Sequence, residues 1–359
     1  MPAPRALQIH AGPRARAHLR ERGLRPQDVK VVAGAAGGPK GLVLLPLDEF
    51  IFGHWLPKGG HEVDLIGASI GAWRMAAACA PNPVQALQRL GHDYIHERYG
   101  HDDGAMPGPD VISERFAATL DQHFEADLPQ VLSHPRWRLQ ILVSRGRGLL
   151  KRPGATQMKL GFAATVLLNA FSRRLLHTGL ERVVFHASSD APAWLQDNIP
   201  TRSVRLTADN FKHALLASCT IPFWLATVHD IPGAPPGAYW DGGLTDYHVH
   251  LPYRQIDDGL ALIPHFQPRL VPGWLDKPLR HRHGATPALD NAIVLSPSPQ
   301  WMAQLPGGKI PDRSDFKRFM HDPAQREHLW RSAWQASRQL ADEWAEWLAQ
   351  PSIDCLPLA

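Results

Sequence analysis

Short apolar runs rich in β-branched residues recur along the chain, at Val29–Ala33, Val63–Ile66, Trp137–Ser144, Arg182–Ser188 and Arg202–Ala208. Turn-forming Gly, Pro, Ser or Asp stands close to each, which predicts short buried strands. Helical signals lie between them. One runs from Gly41 to Phe52, where Pro46 is expected to kink or interrupt it. A second is Ala-rich, follows the strand ending at Ile66 and stops before Pro81; a third is Asn210–Cys219. Leu260–Phe266 and Asn291–Pro297 read as late strands. Strands alternating with helices predict an α/β fold, a mostly parallel central sheet flanked by helices.

From Gln255 the pattern loosens into loops, and the chain closes on a long helical stretch, Pro323–Gln350. Leu329, Trp330, Trp334, Leu340, Trp344, Trp347 and Leu348 fall near helical spacing, so this amphipathic helix is expected to pack on the main body. The resulting division is a basic lead-in helix over 1–28, a central domain over 29–254 and a C-terminal extension over 255–359. There is no internal repeat.

One stretch reads two ways. Leu160–Phe171 is apolar apart from one Gly, one Thr and one Asn, with basic residues on both sides (Arg145, Arg147, Lys151, Arg152 and Lys159 before, Arg173 and Arg174 after). No acidic residue interrupts 145–176. The apolar part is too short to span a bilayer, which takes ~20 residues. It is either a core or lid helix with a solvated rim, or a helix lying in a membrane interface against anionic head groups.

Composition narrows the classes. The 359 residues are 44% hydrophobic, enough for a large core, and 33 Pro with 29 Gly imply many loops. The net charge of +4 is mild and forms no long basic stripe, so no nucleic-acid partner is expected. Cys79, Cys219 and Cys355 are far apart with no CxxC, which argues against a zinc site or disulfide framework and for a reducing, cytoplasmic setting. Cys219 reads as a small buried hydrophobe. The Arg-rich N-terminus lacks the apolar run of a secretory signal. No metal constellation stands out and no cofactor is expected.

The candidate chemistry sits in three glycine-containing turns. Gly67-Ala68-Ser69-Ile70-Gly71 is a GxSxG between an apolar strand and a small-residue helix, the context of a nucleophile elbow. There the helix N-terminus favours negative charge developing near Ser69. The earlier turn, Gly34 to Gly41, fails both phosphate-loop patterns: Lys40 follows Pro39 and precedes Gly41, and Ala36 replaces the second glycine of GxGxxG. It suits an oxyanion better. Pro39 has no N–H, so the donors would be Gly37 and Gly38, with Ala68 or Ile70 as further candidates. The third turn is Asp241-Gly242-Gly243, after two aromatics; on its own it reads as an Asp-Gly turn.

Together these elements resemble the patatin-like phospholipase family. Gly37-Gly38-Pro39-Lys40-Gly41 resembles its glycine-rich oxyanion motif, and Gly67-Ala68-Ser69-Ile70-Gly71 its elbow. Ala214–Pro222 resembles its helix-to-Pro segment, and Asp241-Gly242-Gly243 its DG[GA] signature, all in family order. The departures are Ala35 and Ala36 in the first loop and the His-rich segment 246–252 after the last; the C-terminal hundred residues are not covered. The resemblance implies a lipid acyl hydrolase working through a Ser69–Asp241 dyad, with lipid or another acyl ester as substrate, and with Lys40 bracing the loop or meeting a phosphate. Two readings stay open beside it. One is an ordinary Ser-His-Asp esterase using His248, His250 or His265, which follow Asp241 in the chain. The other is a lipid-binding protein without turnover.

Overall fold

The computed structural model describes residues 4–98, 108–349 and 355–358. Eleven strands form one mixed, mostly parallel sheet: β1 (Leu7–Ala11), β2 (Val29–Gly34), β3 (Val63–Gly67), β4 (Trp137–Gly146), β5 (Leu180–His186), β6 (Thr201–Arg205), β7 (Val228–His229), β8 (Ala238–Asp241), β9 (Leu260–Pro264), β10 (Ala292–Pro297) and β11 (Leu356–Pro357). Their order is β11-β1-β10-β9-β2-β3-β4-β5-β6, with β8 paired to β4 and β7 to β8. Strands β3, β9 and β10 are buried at every position, as strands covered on both faces must be.

The order reverses at β2. From it the chain builds β3 and β4 to one side, and later β9 and β10 to the other. In open α/β sheets the crevice beyond the carboxyl ends of strands at such a reversal is where ligands bind. The glycine loop leaves β2 there, and the GxSxG turn leaves its parallel neighbour β3, with Gly34 in register with Gly67.

The expected strands are present, and the differences are local. The boundary drawn at residue 255 does not separate a layer: β9 and β10 sit inside the sheet between β1 and β2. The lead-in carries β1, antiparallel to β10, before the helix Pro13–Arg22. The helix expected over Gly41–Phe52 is interrupted rather than kinked at Pro46, which occupies the first turn of Leu45–Phe50, where its missing N–H leaves no bond unmade. A 3₁₀ segment, Gly38–Leu44, precedes that helix.

The C-terminal stretch is two helices, Pro323–Ala336 and Arg338–Ala349, and Gln350 lies outside the described residues. They part at buried Ser337, whose hydroxyl donates to the Trp334 carbonyl oxygen at 2.7 Å and so competes with the helical ladder. Trp330, Leu340 and Trp344 are buried, so this pair does pack on the main body. Among the described residues no helix is long and apolar enough to cross a membrane.

Candidate active site

Ser69 takes φ 55° and ψ −129°, a conformation that non-glycine residues rarely adopt, and immediately precedes the helix Ile70–Ala78. Its flanking glycines are required by contact. A Cβ on Gly71 would lie 1.9 Å from the Gly34 carbonyl oxygen, and one on Gly67 would lie 2.5 Å from the Gly71 carbonyl carbon. The end of β2, the elbow and the new helix therefore meet backbone to backbone. Ser69 is only 3% exposed.

The elbow is pinned by Ser218, which lies within the Ala214–Pro222 segment. The Ser69 N–H donates to Ser218 Oγ at 2.9 Å, and the Ser218 hydroxyl donates to the Leu142 carbonyl oxygen on β4 at 2.7 Å. The same segment holds Asp241, whose N–H donates to the Thr220 carbonyl oxygen at 2.8 Å. The helix Ala208–Cys219 thus ends in a clamp on both halves of the expected pair. Gly242 is tied in too, since a Cβ there would lie 2.1 Å from the Leu142 carbonyl oxygen.

Ser69 and Asp241 are brought together. The Ser69 hydroxyl lies close enough to favour the charged form of the Asp241 carboxylate, and the Cys219 thiol is another neighbour of that hydroxyl. Asp241 Oδ1 also accepts from the Gly243 N–H at 2.7 Å. Burial raises the Asp241 pKa above the ordinary carboxylate range; the positive charge of Arg313, then the Gly243 N–H bond and the nearby Ser69 hydroxyl, oppose that rise without cancelling it. A desolvated carboxylate is a stronger base than a free one, which makes a direct Ser–Asp proton transfer workable. Burial pushes the Cys219 thiol up, so it stays neutral beside the pair.

The glycine loop faces the same space. Gly38 (φ 57°) and Ser69 line one pocket. The Ala36 N–H is spent on the Tyr247 carbonyl oxygen and the Ala68 N–H on that of Gly34, which removes Ala68 as an oxyanion donor. Among the described residues the N–H groups of Gly37, Gly38 and Ile70 keep no such partner. Lys40 braces the loop: its Nζ lies 4.7 Å from the Phe266 ring centroid, and that ring fills the space beside Gly37, where a Cβ would meet it at 2.6 Å. Gly41 is fixed by contact with Ile70, whose Cγ1 would lie 2.8 Å from a Cβ there.

The pocket opens to solvent. Its walls are apolar and largely aromatic, among them Ile70, Trp73, Phe116, Trp224 and Phe316, and Arg313 is the charged residue in the lining. The Arg313 Nε sits 2.9 Å from where a Gly38 Cβ would be, beside the glycine loop. Such a cavity suits one long apolar group carrying a polar, reacting end.

None of the three histidines reaches Ser69 or Asp241 by a hydrogen bond. His248 Nδ1 accepts from the Val271 N–H at 3.0 Å, and its ring stacks on Tyr247. His265 Nδ1 bonds the Gln267 carbonyl oxygen at 2.6 Å, and burial pushes its pKa down to about 3. His250 Nε2 meets Thr286 Oγ1 at 3.2 Å. All three are held neutral, chiefly by burial, in other polar contacts.

Among the described residues no group of three or more His, Cys, Asp or Glu is placed to hold a metal ion. Against known proteins, no family model matches the chain and no curated protein matches it.

Proposed function

We propose that this chain is a serine acyl hydrolase of patatin-like type that cleaves carboxylic esters of lipids. One observation carries the reading: a serine at a strained strand–turn–helix elbow sits beside a buried aspartate and lines an apolar pocket.

In this mechanism Asp241 takes the Ser69 hydroxyl proton as Oγ attacks the ester carbonyl carbon. The oxyanion that forms is met by N–H groups of the glycine loop and the helix start, with the Arg313 charge nearby. Collapse breaks the ester C–O bond, Asp241 returns the proton to the departing alcohol, and the acyl group remains on Ser69. A water then attacks the acyl carbon, gives its proton to Asp241, and Ser69 is regenerated as the carboxylic acid leaves. The pocket walls hold the acyl chain. A cytoplasmic enzyme working at the surface of a membrane fits this substrate and the reduced state of Cys79, Cys219 and Cys355. The test is product profiling of mixed lipids and soluble acyl esters with the purified protein. Fatty acid should be released by wild type and not by Ser69→Ala; binding without release in both would leave a lipid-binding protein.

Two further outcomes follow. Gly38→Val puts a β-branched side chain at φ 57° and against Arg313. Turnover of a soluble ester is expected to fall by ~10²–10³, the usual cost of one lost oxyanion donor, with the fold retained by circular dichroism. An unchanged rate would remove this loop from the oxyanion site.

The acid limb of kcat/KM reports the base. Asp241 must be ionised to accept a proton, and its pKa is raised, so activity is expected to fall with pH through a value above the ordinary ~3.9. Arg313 favours the carboxylate, so Arg313→Gln should move that limb to still higher pH. A limb that stays put would show that the Arg313 charge is not felt at the base.

A further inference from the structure

The helix Ala155–Phe171 is amphipathic in the wrong sense for a protein surface. Its inward positions are Gly161, Phe162, Thr165 and Asn169, while Leu160, Val166, Leu167 and Phe171 point to solvent. Phe171 is 85% exposed and Leu167 64%. Surface helices ordinarily place such residues against the core. Seven of the eight large apolar side chains exposed among the described residues lie in two segments, 149–171 and 223–224, and the eighth is Leu356. The two segments touch: the Phe162 and Phe223 ring centroids are 5.6 Å apart. Trp224, 60% exposed, is also part of the pocket lining that contains Ser69. One apolar surface therefore runs from the helix to the pocket mouth.

That surface is rigidly mounted. The Asn169 amide donates to Asp276 Oδ1 at 2.9 Å, and Arg173 and Arg282 pair with the same buried carboxylate at 2.5 and 2.9 Å. Arg282 also donates to the Asn169 and Ala170 carbonyl oxygens, capping the helix C-terminus. The inward polar residues thus have built partners, and the outward apolar face is a fixed feature of the fold. The plain core reading of Leu160–Phe171 does not hold.

The charges select the occupant. Lys151, Lys159 and Arg174 are exposed and make no ion pair among the described residues, whereas Arg152 is matched by Asp230 at 2.8 Å and Arg173 by Asp276. The segment 145–176 has no acidic residue. We propose that the outward face of this helix, with Phe223 and Trp224, docks on an anionic phospholipid bilayer and seats the pocket mouth at the lipid. Its use in catalysis rests on the ester-hydrolase reading; the docking itself does not. Apolar side chains enter the boundary of head group and acyl chain, and unpaired cations meet the phosphates.

Vesicle co-sedimentation of the Ser69→Ala chain tests this with the lipid left intact. The protein should pellet with mixed phosphatidylglycerol–phosphatidylcholine vesicles, weakly with phosphatidylcholine alone, and less as salt rises. Leu167→Ser/Phe171→Ser should weaken partitioning at least roughly tenfold. Lys159→Gln/Arg174→Gln should weaken it roughly 25-fold, at about fivefold for each cation near an anionic surface. In the Ser69 chain both pairs should leave hydrolysis of a soluble ester unchanged, which also certifies their fold. Equal pelleting of Leu167→Ser/Phe171→Ser and its parent would overturn the proposal. So would a lipid-free dimer that the same substitutions make monomeric, since a second copy would then be the occupant. Vesicle binding by a chain that hydrolyses no ester supports the docking surface and removes only the enzymatic reading.

Discussion

Asp241→Asn is expected to abolish ester hydrolysis as completely as Ser69→Ala, a loss on the order of 10⁴-fold or more in kcat, because the two residues act as one unit. Asparagine preserves the size of the side chain and can keep accepting from the Gly243 N–H, now at 2.7 Å from Oδ1, so the turn should survive. What it removes is the negative charge and the capacity to take the serine proton. Among the described residues none of the three candidate histidines is a second base: His248, His250 and His265 are bonded elsewhere and held neutral. Alanine at each of these should therefore leave most of the activity. Steady-state rates on a short acyl ester, beside circular dichroism, decide the matter. A folded histidine variant as inactive as Ser69→Ala would restore a triad.

The largest expected loss of stability lies one turn beyond the elbow. Arg74 and Asp48 are both fully buried and form a two-pronged pair, with Nε–Oδ2 at 2.6 Å and Nη2–Oδ1 at 2.8 Å. The pair ties the helix that begins at the elbow to the helix Leu45–Phe50 that follows the glycine loop. Asp48→Ala leaves a guanidinium in the core without its counter-charge, and Arg74→Met leaves a bare carboxylate; either is expected to cost about 3–5 kcal/mol. Joining the two as Asp48→Leu/Arg74→Met should recover much of that loss, since an apolar pair needs no counter-charge. Urea unfolding of the four chains measures it. Single replacements costing under ~1 kcal/mol would mean that water reaches this pair.

Much of the site is legible in the sequence because its chemistry is local. Ser69 needs small residues at 67, which touches the backbone at 71, and at 71, which touches the end of β2, and Asp241 needs Gly242 beneath the Leu142 carbonyl oxygen, so each leaves a contiguous mark. Arg313 leaves none, and Ser218, although inside the Ala214–Pro222 segment, carries no local sign of its role. Ser218 acts through a hydroxyl that bridges Ser69 and Leu142, residues remote in sequence, and Arg313 reaches the glycine loop from the segment after the last long strand. Cys219 reads correctly as buried but not as a neighbour of Ser69.

In the fold, the alternation of strand and helix signals carries the architecture, while contacts set by the whole sheet do not show. Strand β1 is a five-residue run in an Arg-rich stretch, and only its pairing with β10 makes it a strand. The helix Ala155–Phe171 is apolar in composition, yet which side faces inward depends on Asp276, Arg173 and Arg282, which hold Asn169 and the helix end.

The central claim is that Ser69 is the nucleophile of an acyl hydrolase, and covalent labelling tests it most directly. A fluorophosphonate should add once per chain, and peptide mass spectrometry should place the adduct on Ser69. Labelling should be slowed in Asp241→Asn and absent in Ser69→Ala. No adduct on the folded wild-type chain, or an adduct on another residue that persists in Ser69→Ala, would contradict it.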